Sequence, residues 1–245
     1  MIARPTGLIR ARVRLGTVVA VALIGTLVVA VPADALGGTR SDGCGSFAVA
    51  KAWVHTAAQR REATLGLLVS TLQARQDPWS LNAGQITALQ NASSAISALD
   101  AQVQNTCYPT RAALRADATQ LFTNYRVYWL RVPQTHAVEA ADRLAEARSR
   151  LGTVATKLAA HVGGNVDAQT ELSAMNQALA AADAELGTVP TPADAVASVV
   201  TLVPAADMTA DVATMETARA DLIAARGALV QARTDGLAVV GDLGA

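Results

Sequence analysis

Little in this chain is built for chemistry. Its 245 residues hold two cysteines and three histidines, and aromatic side chains make up only 3%. His55, His136 and His161 lie far apart, and neither H-E-x-x-H nor C-x-x-C spacing occurs, so no metal site is expected. There is no G-x-S-x-G elbow and no glycine-rich phosphate loop, which removes the usual signatures of a serine hydrolase or a nucleotide enzyme. No catalytic residue and no cofactor is therefore assigned. Lysine occurs only at Lys51 and Lys157, an arginine-heavy usage that fits a GC-rich bacterial genome. Past residue 35 no apolar run suffices to cross a bilayer. Val196 to Val203 is apolar but falls far short of the ~17–25 residues a spanning helix needs.

What is present starts at the N-terminus. Arg4, Arg10, Arg12 and Arg14 make a basic opening, Leu15 to Val31 carries no charge, and Pro32 precedes Ala33-Asp34-Ala35. Basic region, apolar region and small-x-small site in that order predict a Sec-type signal peptide over residues 1–35. No two arginines are adjacent there, which disfavours the twin-arginine route. The rival expectation is an uncleaved anchor, for which the apolar run is only marginally long enough. Cleavage leaves residues 36–245 as a single domain secreted to, or held at, the bacterial cell envelope.

Without residues 1–35 the chain has 16 basic and 19 acidic side chains, a net of −3. Nucleic acid is excluded as a partner, because its recognition calls for a clear basic excess. The charges are segregated. Residues 36–157 hold 13 basic and 8 acidic side chains, whereas residues 158–218 hold eight acids and no Lys or Arg. No calcium-loop spacing accompanies those acids, so the expectation is acidic helices packed beside basic ones or facing water.

The rest reads as helix: Ala, Leu, Gln, Arg, Asp and Glu dominate, and apolar residues recur at steps of three and four. Punctuation predicts helices over about 46–76, 83–105, 110–132, 134–162, 167–187 and 208–240, with one short helix in the proline-rich 189–204 stretch. Asn82 with Gln85 is expected to form a capping box, and Pro133 to break or kink a helix. Three heptad-like seams stand out: Leu89-Ala92-Ile96-Leu99-Val103, Leu144-Ala147-Leu151-Val154-Leu158 and Leu172-Met175-Leu179-Ala182-Leu186. Pairs such as Glu139 with Arg143 and Asp142 with Glu146 read as a solvated face. The predicted fold is an all-α, elongated, antiparallel up-and-down bundle with coiled-coil-like packing. An exported chain with two cysteines is expected to pair them, and Cys44 and Cys107 fall before the first helix and after the second, at one end of a hairpin.

Phe122, Tyr125, Tyr128 and Trp129 cluster in one short stretch, followed by Pro133 and His136. On a continuous helix Phe122, Tyr125 and Trp129 would share a face. Two readings follow: a buried aromatic belt, or a platform for a sugar or peptide built from Tyr125, Tyr128 and Trp129 with Arg126, Arg131 or His136 as polar anchors. Exposure of Tyr125, Tyr128 and Trp129 separates them.

Asn124-Tyr125-Arg126-Val127-Tyr128, then Leu130, Pro133, His136 and Ala140-Ala141-Asp142-Arg143, resembles a segment of uncharacterised secreted bacterial proteins that are Ala-rich helical bundles behind signal peptides. The specific match covers about residues 120–145. It implies export and the same fold, and carries no catalytic residue across. The functional expectation is a non-catalytic protein that binds or scaffolds an unidentified protein or envelope component. The alternatives are a small-ligand or glycan-binding module using residues 122–136 and, more remotely, an enzyme with a site between helices.

Overall fold

A computed structural model describes residues 47–75, 81–188, 191–201 and 208–244. The predicted signal peptide and Cys44 lie outside them. The architecture is all-α. Helices run α1 (Ala48–Gln73), α2 (Leu81–Asn105), α3 (Arg111–Thr123), α4 (Val132–Ala159), α5 (Val166–Leu186), α6 (Asp194–Thr201) and α7 (Met208–Leu243), with one π-turn, Val127–Arg131, leading into α4. A two-residue antiparallel ladder, β1 (Gly187–Thr188) with β2 (Thr191–Pro192), closes the chain between α5 and α6. No helix among the described residues is long and apolar enough to cross a membrane.

Local chemistry explains the helix ends. Thr110 caps α3, its hydroxyl accepting from the Ala113 amide, and Asn165 caps α5 by accepting from Ala168. The Asn165 amide also donates to the Asp242 carbonyl, which ties the start of α5 to the end of α7 and makes that pair antiparallel. Gly187 ends α5 with φ +82°, a backbone setting that glycine reaches without strain. The capping box expected at α2 does not form. Asn82 lies buried inside the first turn, and Gln85 turns away to donate to Thr135 on α4.

Two hydrophobic cores stack along the bundle. One joins α1, α2, α3, the start of α4 and part of α6 and α7 around Leu65, Leu89, Ile96 and Leu121. The other joins the end of α4, α5 and the end of α7 around Met175, Leu179, Ala182 and Val239. Leu144 packs on both, so α4 and α7 run through the whole molecule. The α2 and α5 seams are buried as read. The α4 seam is not. Val138, Ala141, Ala145 and Ala155 are buried, Leu144, Leu151 and Leu158 are half-buried, and Val154 is exposed. Alanine lets α4 approach its neighbours closely, so the small side chains take the centre and the leucines flank it.

The expected break near Pro133 is also moved. Pro133 does not break the chain: the backbone stays helical through Arg131 and Val132, and the proline falls directly behind the π-turn, where the hydrogen-bond ladder is already widened. The interruption falls earlier, at residues 124–126. Arg126 adopts φ +40°, and its carbonyl accepts from Leu130 at 2.7 Å and, five residues on, from Arg131 at 3.4 Å, the wider step that makes the π-turn.

Candidate functional site

The break between α3 and the π-turn gathers aromatic and cationic side chains from two separate parts of the chain. Trp53 on α1 stacks on Phe122 at the end of α3, ring centroids 6.1 Å apart and 21° between planes. Arg61, two turns along α1 from Trp53, is buried between two rings: its guanidinium lies 4.4 Å from the Phe122 centroid and 5.3 Å from that of Tyr128. One Nη donates to the Ala57 carbonyl at 2.9 Å. Burial lowers the Arg61 pKa from its ordinary value, opposed by Tyr128, and an arginine so lowered still carries its charge. Next to this sandwich, Arg126 lies 5.9 Å from the Trp129 ring centre, donates from Nε to the Thr123 carbonyl and reaches Asp211 on α7 at 3.6 Å. These contacts surround Arg126 where its backbone adopts a left-handed conformation that is uncommon for a non-glycine residue.

The sequence candidates fall out unequally. Tyr128 and Trp129 are 43% and 38% exposed, so two of the three platform residues face solvent. Tyr125 is half-buried and donates to the Ala95 carbonyl on α2 at 3.3 Å, a structural anchor and not a platform. Phe122, Tyr125 and Trp129 do not share a helical face, because the helix stops between them; Phe122 instead meets Tyr128 across Arg61. Arg131 is no surface anchor. It is buried and donates to the Gln134 Oε1 at 3.0 Å; burial lowers its pKa against the pull of Asp211. His136 is exposed and belongs to another group, 3.6 Å from Glu139.

Glu139 is the centre of that second group. Its carboxylate accepts from Arg75 at the end of α1 (2.8 Å) and from Arg143 one turn along α4, with His136 beside it. Burial pushes the Glu139 pKa up, but Arg143, Arg75 and His136 outweigh it and hold the carboxyl below its ordinary value. Glu139 and Asp142 are both buried, which corrects the expectation of a solvated face. Beneath lies an interior polar strip. Gln85, Gln134 and Thr135 are fully buried, and Gln134 donates to the Val199 carbonyl at 2.6 Å, locking α4 to α6.

Trp53 and Arg61 were missed by sequence reasoning. Their spacing of eight places them on one face of α1, but nothing in the chain signals that this face meets residues some sixty positions later. Cys107 lies in the turn after α2 and is not a free thiol. Among the described residues no group of three or more His, Cys, Asp or Glu is placed to hold a metal ion. Two surface depressions are open to solvent, one along α5 by Gln169, Ser173 and Asn176 and one by Glu62, Ser93 and Ser97. These features define an all-α bundle with an aromatic–arginine surface at a helix break. No known family, curated protein or solved structure matches the chain.

Proposed function

We propose that this chain is an exported, non-catalytic helical protein that works by binding or scaffolding at the bacterial cell envelope. Export rests on the signal-peptide pattern of residues 1–35, and kinship with secreted Ala-rich bundle proteins on residues 120–145 alone. A Cys44–Cys107 bridge belongs to the same reading, since exported chains keep disulfides. Binding rests on one observation: Tyr128 and Trp129, in a chain with so few aromatics, stand exposed at the surface against the guanidinium groups of Arg61 and Arg126. Aromatic rings fixed by cation–π contacts give contact area at low entropic cost.

A second reading uses the same patch more narrowly, as a small-ligand or glycan-binding module in which a sugar face stacks on Tyr128 and Trp129. Their exposure favours it over a purely structural belt. The test has two parts. Intact mass of protein recovered from culture fluid is expected to begin at Leu36, two hydrogens lighter than the reduced chain; a mass retaining residues 1–35 in the membrane fraction defeats the export reading. Tryptophan fluorescence is then followed during titration with envelope saccharides. A saturable change abolished in Tyr128→Ala, which keeps the Trp129 reporter, supports the glycan module, and an unchanged signal leaves general binding as the better account.

A further inference from the structure

The outer face of α7 carries an ordered pattern that packing inside the bundle does not use. Arg219, Arg226 and Arg233 recur every seven residues, and four residues after each comes an aliphatic side chain: Ile223, Val230 and Leu237. All six are exposed, the aliphatic three at 60%, 59% and 63%. The interior face of the same helix is separate and built from Ala218, Ala225, Leu229, Ala232 and Val239. None of the three arginines pairs with a described carboxylate, in contrast to Arg75, Arg126, Arg143, Arg148 and Arg150; Arg60, Arg111 and Arg115 are exposed and likewise without an ion pair among the described residues, but they form no row. On the other flank of the aliphatic row runs a row of small residues, Ala220, Gly227, Thr234 and Gly241, all exposed. A Cβ added to Gly227 or Gly241 would meet nothing within 4 Å.

We infer that this face of α7 docks an acidic amphipathic helix of a partner protein. Three parallel rows, cationic, aliphatic and small, describe a half-interface. The aliphatic row supplies the apolar seam, the small row lets a second helix approach closely, and the arginines, which meet no carboxylate among the described residues, call for carboxylates at matching seven-residue steps. Period decides between a helix and a flat anionic surface. A strict seven-residue repeat drifts about 20° per heptad around a straight helix. A partner helix follows that drift by supercoiling, whereas a bilayer needs a wide apolar arc and here finds one residue's width. A second copy of α7 is disfavoured by charge, since it would bring an arginine row and no acidic row to the seam. From Arg219 to Val240 the face is about 32 Å long at 1.5 Å per residue, room for three heptads of partner.

This goes beyond the aromatic surface proposed above and gives the binding reading a partner chemistry. It rests on that reading only in treating the chain as one that works by contact. The probe is a fluorescein-labelled 21-residue helical peptide with Leu at the seam and Glu at flanking positions of each heptad, beside the same peptide with Lys for Glu. Anisotropy with the full chain is expected to show saturable binding of the Glu peptide, at least tenfold tighter than the Lys peptide and weakened at least tenfold in R219Q/R226Q/R233Q. Val230→Asp, at an exposed position that leaves folding intact, is expected to abolish binding as well. No binding, equal binding of both peptides, or binding indifferent to the arginine changes overturns the inference. So does binding to phosphatidylglycerol vesicles without peptide binding, or an α7-dependent dimer in sedimentation. Loss of this site leaves the tryptophan titration unaffected, so the two proposals fail separately.

Discussion

Replacing Glu139 by glutamine isolates one charge at the point where α1, the start of α4 and their shared surface meet. The Glu139 side chain is 12% exposed, and its partners Arg75, Arg143 and His136 are 35%, 55% and 63% exposed. A charge-assisted hydrogen bond contributes about 1.5–3 kcal/mol when sheltered. Solvent screening of the partners reduces the Arg75 bond to about 1 kcal/mol, and the Arg143 pair, one helical turn away, adds a few tenths. Glu139→Gln keeps the shape and one acceptor, so the expected loss at pH 7 is about 1–2 kcal/mol. The pH dependence has a definite sign. Burial raises the carboxyl pKa, but Arg143, Arg75 and the hydrogen bond with His136 leave it below its ordinary value of 4.5. A depressed folded-state pKa gives stability that is present above the unfolded value and is lost as pH falls through the folded one. Urea unfolding of both proteins between pH 7 and pH 3 measures this. The gap between them is expected to close towards zero as the solution becomes more acidic than the depressed pKa. Glu62, whose pKa burial raises, titrates in both proteins and cancels in the difference. A gap under about 0.3 kcal/mol at pH 7, or one that stays constant across the range, refutes the account of Glu139 as a charged tie between helices.

Three further outcomes are expected. Gly66→Ala, on an exposed turn of α1 with nothing within 4 Å, stabilises by about 1 kcal/mol and raises Tm by about 2–4 °C. Gly236→Ala places its methyl 3.1 Å from the buried Met175 sulfur and forfeits that gain, so equal Tm rises in calorimetry contradict the packing at the α5–α7 contact. Lys51→Met removes the buried ammonium that donates to the Gln104 and Thr106 carbonyls at 3.0 and 2.7 Å, costing about 1–3 kcal/mol; an unchanged denaturation midpoint denies it a role in closing α2. Thiol labelling of unfolded, exported protein is expected to find no thiol without reductant and two with it. Closing the 64-residue loop from Cys44 to Cys107 contributes up to about 4 kcal/mol, which Cys107→Ser would remove.

Periodicity and punctuation determined most of the architecture. A run of Leu and Ala at three- and four-residue steps has one way to bury itself, so the seams of α2 and α5 and the helix ends at Pro109-Thr110, Gly163-Gly164 and Gly187 followed from local chemistry alone. Which side of α4 faces inward did not, because alanine scores weakly for burial and the choice depends on how closely a neighbour approaches. The break at Arg126 was illegible for a related reason. Pro133 is the stronger breaker in isolation, yet the helix runs through it directly behind the π-turn, while the left-handed Arg126 lies against Trp129 and against Asp211 some eighty-five residues away. The candidate site divides the same way. An aromatic stretch is visible in the chain, and so is a seven-residue arginine repeat. That Trp53 and Arg61 complete the patch, that Tyr125 is turned inward, that Glu139 is buried and that Arg219, Arg226 and Arg233 meet no carboxylate among the described residues were decided only when the helices packed. Contacts between residues distant in sequence are set by tertiary geometry, which local pattern does not contain.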